Sequence, residues 1–249
     1  MASPALADDR EFCADRPGQT TPPCTLAPGK LQIETALGQW ARESDPDART
    51  DTLALGSSLL RAGLTSRLEA QLGWTPFGVQ WVRDNATGAI GRQSSTGDVT
   101  LGLTYGLAGA NGPVALQAFA TLPTGGEAIG AGDWGAGLRL PAQFDLGHGV
   151  QLGLTPEIDA AVNGSGEGRH LAYGGAAGIG LAVSEKVQLG LDVSAFRDDD
   201  PDGHATLVSA GASLAWQADK DTQLDLGGTA GLNRDSPDLT VYLGIAHRF

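Results

Sequence analysis

The residue types that most often carry chemistry are sparse in this chain of 249 residues. It contains two cysteines and four histidines, and the histidines lie on different predicted segments or turns, at His148, His170, His204 and His247. The sequence lacks a His-Glu-x-x-His zinc motif, a Gly-x-Ser-x-Gly elbow and a phosphate-binding glycine loop. We therefore predict no metal site, no cofactor and no enzymatic active site.

One acidic stretch resembles the start of a calcium loop. It reads Asp198-Asp-Asp200-Pro-Asp202-Gly203, but the glutamate required at the twelfth loop position is replaced by Ser209. A solvated acidic loop is the simpler interpretation, and weak binding of divalent ions is the alternative.

Cys13 and Cys24 lie in a proline-rich stretch that has no further cysteine or histidine nearby, which argues against a zinc site. A disulfide formed in an oxidising compartment is the prediction, and two free thiols are the alternative. Ala5-Leu6-Ala7 has the A-x-A form of a signal-peptidase site, which indicates an exported protein. We expect residues 1–29 to form an N-terminal segment distinct from a domain spanning residues 30–249.

The charge balance excludes one class of partner. With 16 basic and 29 acidic residues the formal net charge is −13, so the chain would repel nucleic acid. No apolar run approaches the roughly 18 residues of a membrane-spanning helix.

From residue 30 onward, polar and apolar residues alternate with period two, the pattern of a β-strand with two different faces. About twelve such segments follow one another, near residues 31–38, 52–56, 67–74, 98–105, 113–122, 133–144, 150–162, 170–183, 187–197, 204–217, 222–233 and 239–249. Tight turns follow the even segments, whereas most odd segments are followed by longer polar stretches, at 42–50, 75–95, 123–132 and 198–203. This pattern predicts an all-β, transmembrane, antiparallel up-and-down barrel of about 12 strands.

The polar face must point into the barrel, because a carboxylate facing lipid near mid-depth costs several kcal/mol. The predicted lumen and solute path contains Glu34, Arg61, Glu69, Asp98, Arg139, Glu157, Asp159, Asp192 and Asp225. Its excess of carboxylates favours cations or neutral solutes. Many of the 37 glycines fall on the same face, where we expect them to keep the lumen open. A lumen packed with side chains is the alternative.

The last segment ends in Phe249, with Val241, Leu243 and Ile245 on the same face. This ending resembles the signal by which bacterial outer-membrane barrels are recognised for insertion. The resemblance implies the barrel-assembly machinery as a partner.

Several motifs together resemble the outer-membrane transporter-like family named for a MetA pathway of phenol degradation. They are Phe12-Cys13-Ala-Asp-Arg16-Pro17, Pro23-Cys24-Thr-Leu-Ala-Pro28-Gly29, Asp51-Thr-Leu-Ala-Leu55, Leu59-Leu-Arg61-Ala-Gly-Leu64, Leu72-Gly-Trp74-Thr-Pro76, Thr96-Gly-Asp98-Val-Thr100, Thr121-Leu-Pro-Thr124-Gly125, Gly130-Ala-Gly-Asp133-Trp134 and Phe196-Arg-Asp-Asp-Asp200. The resemblance covers most of residues 11–249. It implies a Gram-negative outer-membrane channel for small aromatic or other hydrophobic compounds, and no catalytic residues.

The expected function is passive passage of small solutes through a monomer in contact with outer-membrane lipid and lipopolysaccharide, with both termini in the periplasm. Residues 1–29 are expected to be a periplasmic segment, whose Cys13–Cys24 part either plugs the lumen or is only a periplasmic tail. Two alternatives remain open. One is a non-conducting structural or adhesive scaffold acting through the acidic loops. The other is a lipid hydrolase with a histidine on the lipid-facing wall, for which His204 is the candidate.

Overall fold

Residues 10–249, which the computed structural model describes, are built around one antiparallel sheet. Its strand segments are β1 (Leu31–Ser44), β2 (Ala48–Leu55), β3 (Ser57–Gly63), β4 (Leu68–Trp74), β5 (Phe77–Asp84), β6 (Ile90–Ser95), β7 (Val99–Gly106), β8 (Ala115–Leu122), β9 (Gly135–Arg139), β10 (Ala142–Gly147), β11 (Val150–Val162), β12 (Arg169–Ser184), β13 (Val187–Asp198), β14 (Ala205–Asp219), β15 (Thr222–Gly231) and β16 (Leu239–Arg248).

The sixteen segments make twelve barrel strands, because four of the strands are interrupted. The breaks separate β2 from β3, β4 from β5, β6 from β7 and β9 from β10. Gly56, with a φ of 71°, makes the first break, and prolines at positions 76 and 141 lie in the second and the last. Proline lacks the N–H that a sheet ladder needs, so it belongs at such interruptions. The last strand, β16, pairs with β1 and closes the sheet, confirming the predicted 12-stranded barrel.

The predicted alternation of faces is present in the barrel wall. Leu101 and Leu103 on β7 are 47% and 50% exposed on the outer surface, whereas Thr104 is 3% exposed. Large apolar side chains are exposed on the outside of many other strands, including Leu72, Leu138, Ile158, Leu191 and Leu243. The outer surface therefore has the apolar character that a lipid environment requires. Within residues 10–249, no helix is long and apolar enough to cross a membrane.

Two of the predicted long loops are wrong. Residues 75–95 form the β5–β6 hairpin, in which β5 pairs with β2 as well as with β6. Residues 42–50 are mostly strand, since β1 continues to Ser44 and β2 begins at Ala48. Hydrogen bonds to neighbouring strands extend both hairpins beyond the segments that the sequence pattern predicted.

The connections are sorted between the two ends of the barrel. Short turns lie at the end where β1 begins and β16 finishes, and there the Phe249 amide donates to the Leu31 carbonyl. This end is called the termini end. The opposite, loop end carries residues 123–134, 163–168, 199–204 and 232–238.

The predicted disulfide between Cys13 and Cys24 is confirmed. The predicted cleavage site at residues 5–7 lies outside the described residues. Residues 10–28 form no strand, and they contact the inner wall of the barrel rather than its outer surface.

Placing a charge on the outer face should destabilise the barrel. Leu191→Arg puts a guanidinium in the middle of β13, where 56% of Leu191 is exposed on the apolar surface. We expect the free energy of unfolding in lipid vesicles to fall by about 2–4 kcal/mol.

Leu64→Arg is the matched control, because Leu64 lies in a turn at the termini end and is similarly exposed. A denaturant titration followed by tryptophan fluorescence measures both variants. Equal losses for the two would contradict a lipid-facing outer surface.

Candidate functional site

The lumen is the candidate site, and Arg61 on β3 is the centre of its polar network. Arg61 is 1% exposed. Its Nε is 2.7 Å from Glu69 Oε1, and its Nη1 is 3.0 Å from Glu34 Oε1 and 2.9 Å from Asp15 Oδ1. Glu34 and Glu69 are themselves no more than 1% exposed. A buried carboxylate needs a cation and hydrogen-bond donors, and Arg61 supplies several of these at once.

Arg61 also binds the N-terminal segment, defined here as residues 10–28. Its Nη1 donates to the Cys13 carbonyl at 3.0 Å and its Nη2 donates to the Cys24 carbonyl at 3.3 Å. The two carbonyls belong to the cysteines that the disulfide joins. One wall arginine therefore holds both ends of the disulfide loop.

Wall carboxylates accept hydrogen bonds from the backbone of this segment. The amides of Asp15 and Arg16 each donate to Glu34, both at 3.1 Å, and the Leu26 amide donates to Glu69 Oε2 at 2.8 Å. Because the segment forms no strand, its backbone amides have no partners in the sheet, and these bonds satisfy them instead. The segment is therefore bound at defined positions in the lumen.

A second anchor is the ion pair between Arg16 and Asp225 on β15. Arg16 Nη2 is 2.8 Å from Asp225 Oδ1, and Arg16 Nε is 3.1 Å from Oδ2, a bidentate geometry. The Asp225 side chain is fully buried. Two further bonds surround this pair: the Arg16 carbonyl accepts from Gln223 Nε2 at 2.9 Å, and the Gly18 amide donates to the Tyr242 hydroxyl at 2.9 Å.

The third anchor is Gln19, which bridges β13 and β14. Its Nε2 donates to Asp192 Oδ1 at 2.5 Å, and its Oε1 accepts from the hydroxyls of Ser194 and Ser209, each at 2.7 Å. The Thr21 amide donates to Thr155 Oγ1 on β11 at 2.9 Å. The segment thus contacts opposite sides of the wall and crosses the lumen between them.

Several of the inward glycines, which we expected to keep the lumen open, lie against the N-terminal segment or against large wall side chains. A side chain at Gly244 would collide with the Arg16 guanidinium, and one at Gly153 or Gly178 would press against Thr20. Gly137 is covered by Asp159 and Phe119 from the neighbouring strands. These glycines make room for the N-terminal segment and for large wall side chains.

Two polar cavities lie on either side of the segment. One of about 980 Å³ opens at the termini end and is lined by the segment, by the short turns and by inward residues of β10 to β15. A smaller one of about 290 Å³ lies further toward the loop end, where Glu34, Asp98 and Thr100 contribute to its lining. Asp15 and Arg16 line both cavities. These two residues therefore form the partition between them.

The remaining predicted lumen residues have separate roles. Arg139 forms a bidentate pair with Glu157, at 2.8 and 2.9 Å, and its guanidinium lies 4.5 Å from the centre of the Phe119 ring. Asp159 lies two residues after Glu157 on β11, so it also faces the lumen, and it pairs with Gly137 of β9. Asp98 lies between β6 and β7, and its carboxylate accepts from two amides of loop 123–134, those of Gly125 and Ala131, each at 2.7 Å.

The structure thus brings Glu34, Arg61 and Glu69 into one cluster and Arg139, Glu157 and Asp159 into a second, and leaves Asp98, Asp192 and Asp225 at separate places on the wall. Sequence reasoning missed Arg16 and Gln19 as lumen residues. They lie in a proline-rich stretch without periodicity, so no strand pattern could assign them to a face. Arg61 and the two cysteines were found, but nothing in their spacing indicates that they meet.

The loop end contains a second group of polar residues. His170 Nε2 is 2.5 Å from Asp198 Oδ1, and His170 Nδ1 is 3.7 Å from Asp200 Oδ2. The three side chains offer potential metal-ligand atoms within 4.8 Å of one another. Backbone donors from Asp202 and Gly164 hold the pKa of the Asp200 carboxyl below its usual range. His204, the candidate of the hydrolase alternative, lies nearby in loop 199–204, 62% exposed and 3.5 Å from Asp199.

A closed twelve-stranded sheet, an apolar outer surface and a polar lumen define a transmembrane β-barrel of the bacterial outer-membrane type. The particular family follows from the sequence: the model of the family described as "Putative MetA-pathway of phenol degradation" matches residues 14–249, and the chain belongs to that family. A comparison with curated protein sequences finds no match.

Solved structures share the fold at low sequence identity. The COG4313 outer membrane channel from Pseudomonas putida F1 superposes with a TM-score of 0.70 at 17% identity, covering 94% of this chain and 99% of that one. The NanC porin gives 0.52 at 9% identity, covering 87% and 98%. The translocator domain of the autotransporter NalP from Neisseria meningitidis gives 0.54 at 14%, covering 90% of each chain.

Removing the central cation should destabilise the barrel interior. Arg61→Met keeps a long side chain but leaves Glu34 and Glu69 buried without their main partner. We expect a loss of about 3–5 kcal/mol in the free energy of unfolding, as for other broken buried ion pairs.

Arg42→Met is the control, because Arg42 pairs with Asp51 at 2.9 Å but its side chain is 39% exposed. That variant should lose no more than about 1 kcal/mol. Urea titrations of the refolded barrels provide the measurement, and a similar loss in both variants would argue against a central role for Arg61.

Proposed function

We propose that the protein is an outer-membrane channel for passive passage of small solutes and that the N-terminal segment is its constriction. The observation that carries this proposal is the pair of polar cavities that meet at Asp15 and Arg16. Movement of a few segment residues would join the two cavities into one path. The fold that the chain shares with outer-membrane channels supports the same conclusion.

Two sets of contacts hold the constriction in place. The disulfide and the donors of Arg61 hold Cys13 and Cys24 close to the β3 wall. The Arg16 and Gln19 side chains extend to β15 and to β13 and β14. We propose that opening breaks the Arg16 and Gln19 contacts first, while the disulfide loop stays bound to Arg61.

The chemistry of the lining limits the solutes. The larger cavity contains amide, hydroxyl and carboxylate groups, including those of Gln151, Ser213 and Gln223. Polar uncharged solutes and small cations fit this lining better than purely apolar ones. The family description refers to phenol degradation, and a small hydroxylated aromatic compound offers both a hydrogen-bonding group and a size suited to this cavity.

The surroundings of the channel follow from the same proposal. We propose that the apolar outer belt contacts outer-membrane lipid, that the acidic loop end meets lipopolysaccharide and that both termini lie in the periplasm. Val241, Leu243 and Phe249 present an apolar row on the outside of β16 that the barrel-assembly machinery recognises during insertion. The protein acts as a monomer.

Weakening the constriction should increase conductance. In the double variant Arg16→Ala/Gln19→Ala the disulfide loop and Arg61 remain, but the contacts with Asp225 and Asp192 are lost. We expect a larger single-channel conductance in planar bilayers and faster swelling of solute-loaded liposomes.

Lys30→Ala is the control, since Lys30 is an exposed residue just after the segment and lines neither of the two cavities. Deleting residues 8–28 tests the proposal more severely. Unchanged conductance in the deletion variant would exclude the constriction, and absence of conductance in every variant would favour the non-conducting scaffold.

The larger cavity should also give a mild preference for cations. Its lining includes the carboxylates of Glu11, Asp15, Asp145, Glu185 and Asp192 against the cations Arg16 and Lys186. Asp145→Asn/Glu185→Gln removes two exposed charges at its mouth, one near the end of β10 and one in the turn between β12 and β13. We expect the reversal potential in a salt gradient to shift toward lower cation preference.

Asp47→Asn/Glu167→Gln removes the same charge from exposed loop tips at the other end and is the control. A parent channel that prefers anions would refute the assignment of selectivity to these carboxylates.

A further inference from the structure

His170, at the start of β12, has a buried side chain at the rim of the lumen, beside Asn163, Asp198 and Asp200. Its side chain is 4% exposed. Its Nδ1 lies 3.0 Å from Asn163 Oδ1, and the orientation of that amide follows from the Asn163 Nδ2 donation to the Glu167 carbonyl at 2.8 Å. Because Asn163 Oδ1 can accept but not donate, His170 Nδ1 must carry a proton.

The other ring nitrogen, Nε2, faces Asp198. It is a buried atom without a hydrogen bond among the described residues, although it lies 2.5 Å from Asp198 Oδ1. A cation bound to both atoms would give Nε2 the partner that it lacks.

Asp200 completes the group from the adjoining loop. Its Oδ2 accepts from the Gly164 amide at 2.5 Å, and its Oδ1 accepts from the Asp202 amide at 2.8 Å, so the carboxylate is oriented by two backbone donors. Its side chain is 13% exposed. Asn163 and Asp200 thus hold the cluster in place from two different loops.

We propose that His170, Asp198 and Asp200 bind a divalent transition-metal ion of the Zn²⁺ class at the loop-end rim of the lumen. Imidazole nitrogen and carboxylate oxygen are both ligands that Zn²⁺ accepts, and three protein ligands leave the fourth tetrahedral position for a water, as in open zinc sites. The bond from Nδ1 to Asn163 is the kind of second contact that usually orients a metal-bound histidine. Ca²⁺ prefers six to eight oxygen ligands and fits this group less well.

The required adjustment is small. Two ligands of a tetrahedral zinc ion lie about 3.4 Å apart, so Asp198, which is 31% exposed, must rotate slightly away from His170. The ion would then join loop 163–168 to loop 199–204. Ala172 of β12 faces the lumen and pairs with Asp198 of β13, and His170 lies two residues before Ala172 on the same face. The ion would therefore also add positive charge at the lumen rim.

The test is a calorimetric titration of the full chain, without a histidine tag, in detergent with ZnCl₂. We expect one ion per chain, and at least tenfold weaker binding in His170→Gln and in Asp198→Asn. Co²⁺ provides a second measurement, since a coordinated imidazole changes its visible absorption spectrum, and this change should disappear in His170→Gln.

Asp202→Asn and His148→Gln are the controls. The first removes the same charge from the same loop, and the second removes a histidine at the termini end; both should bind Zn²⁺ within twofold of the parent. Thermal unfolding without metal checks that each variant is folded. If one of the ligand variants does not fold, Asp200→Asn, which removes the third proposed ligand, is tested in its place. Equal affinity in parent and His170→Gln, or Ca²⁺ binding as tight as Zn²⁺ binding, would overturn the proposal.

Discussion

The guanidinium of Arg61 lies between two wall carboxylates, Glu34 and Glu69, in the interior of a barrel whose outside is apolar. An inward carboxylate avoids lipid but still loses most of its water when the lumen is filled, so it requires a cation and oriented donors. Arg61 provides the cation for both. It also binds the Cys13 and Cys24 carbonyls, and the position of the N-terminal segment depends on it.

The lumen is therefore packed with paired polar groups in one part and open in another. Near Arg61 it resembles a packed polar core, with charges paired and backbone groups satisfied. On the side of β11 to β15 it is wide, because glycines on these strands leave room that the segment only partly occupies. The Arg61 cluster fills one side of the lumen, whereas on the other side the contacts of Arg16, Gln19 and Thr21 leave a cavity open beside them.

Much of the barrel could be predicted because the membrane imposes a simple rule on its sequence. Side chains that alternate along a strand must alternate between lipid and lumen, so Leu101 and Leu103 can be assigned outside and Thr104 inside without any structure. The rule fails where a strand does not need an apolar outer face. In the missed β5–β6 hairpin this applies to β6, whose mostly polar residues are held in a strand by pairing with β5, which in turn pairs with β2.

The sequence by itself determined the number of strands, the orientation of their faces and the disulfide, because each depends on local periodicity or on residues close in the chain. The tertiary structure alone decided what fills the lumen. Arg16 meets Asp225 across 209 positions, and Gln19 meets Ser209 across 190. The tertiary structure also places His170 of β12 beside Asp198 of the neighbouring strand β13. Such contacts arise when closure of the sheet gives distant strands a common interior, and no short-range pattern in the chain encodes them.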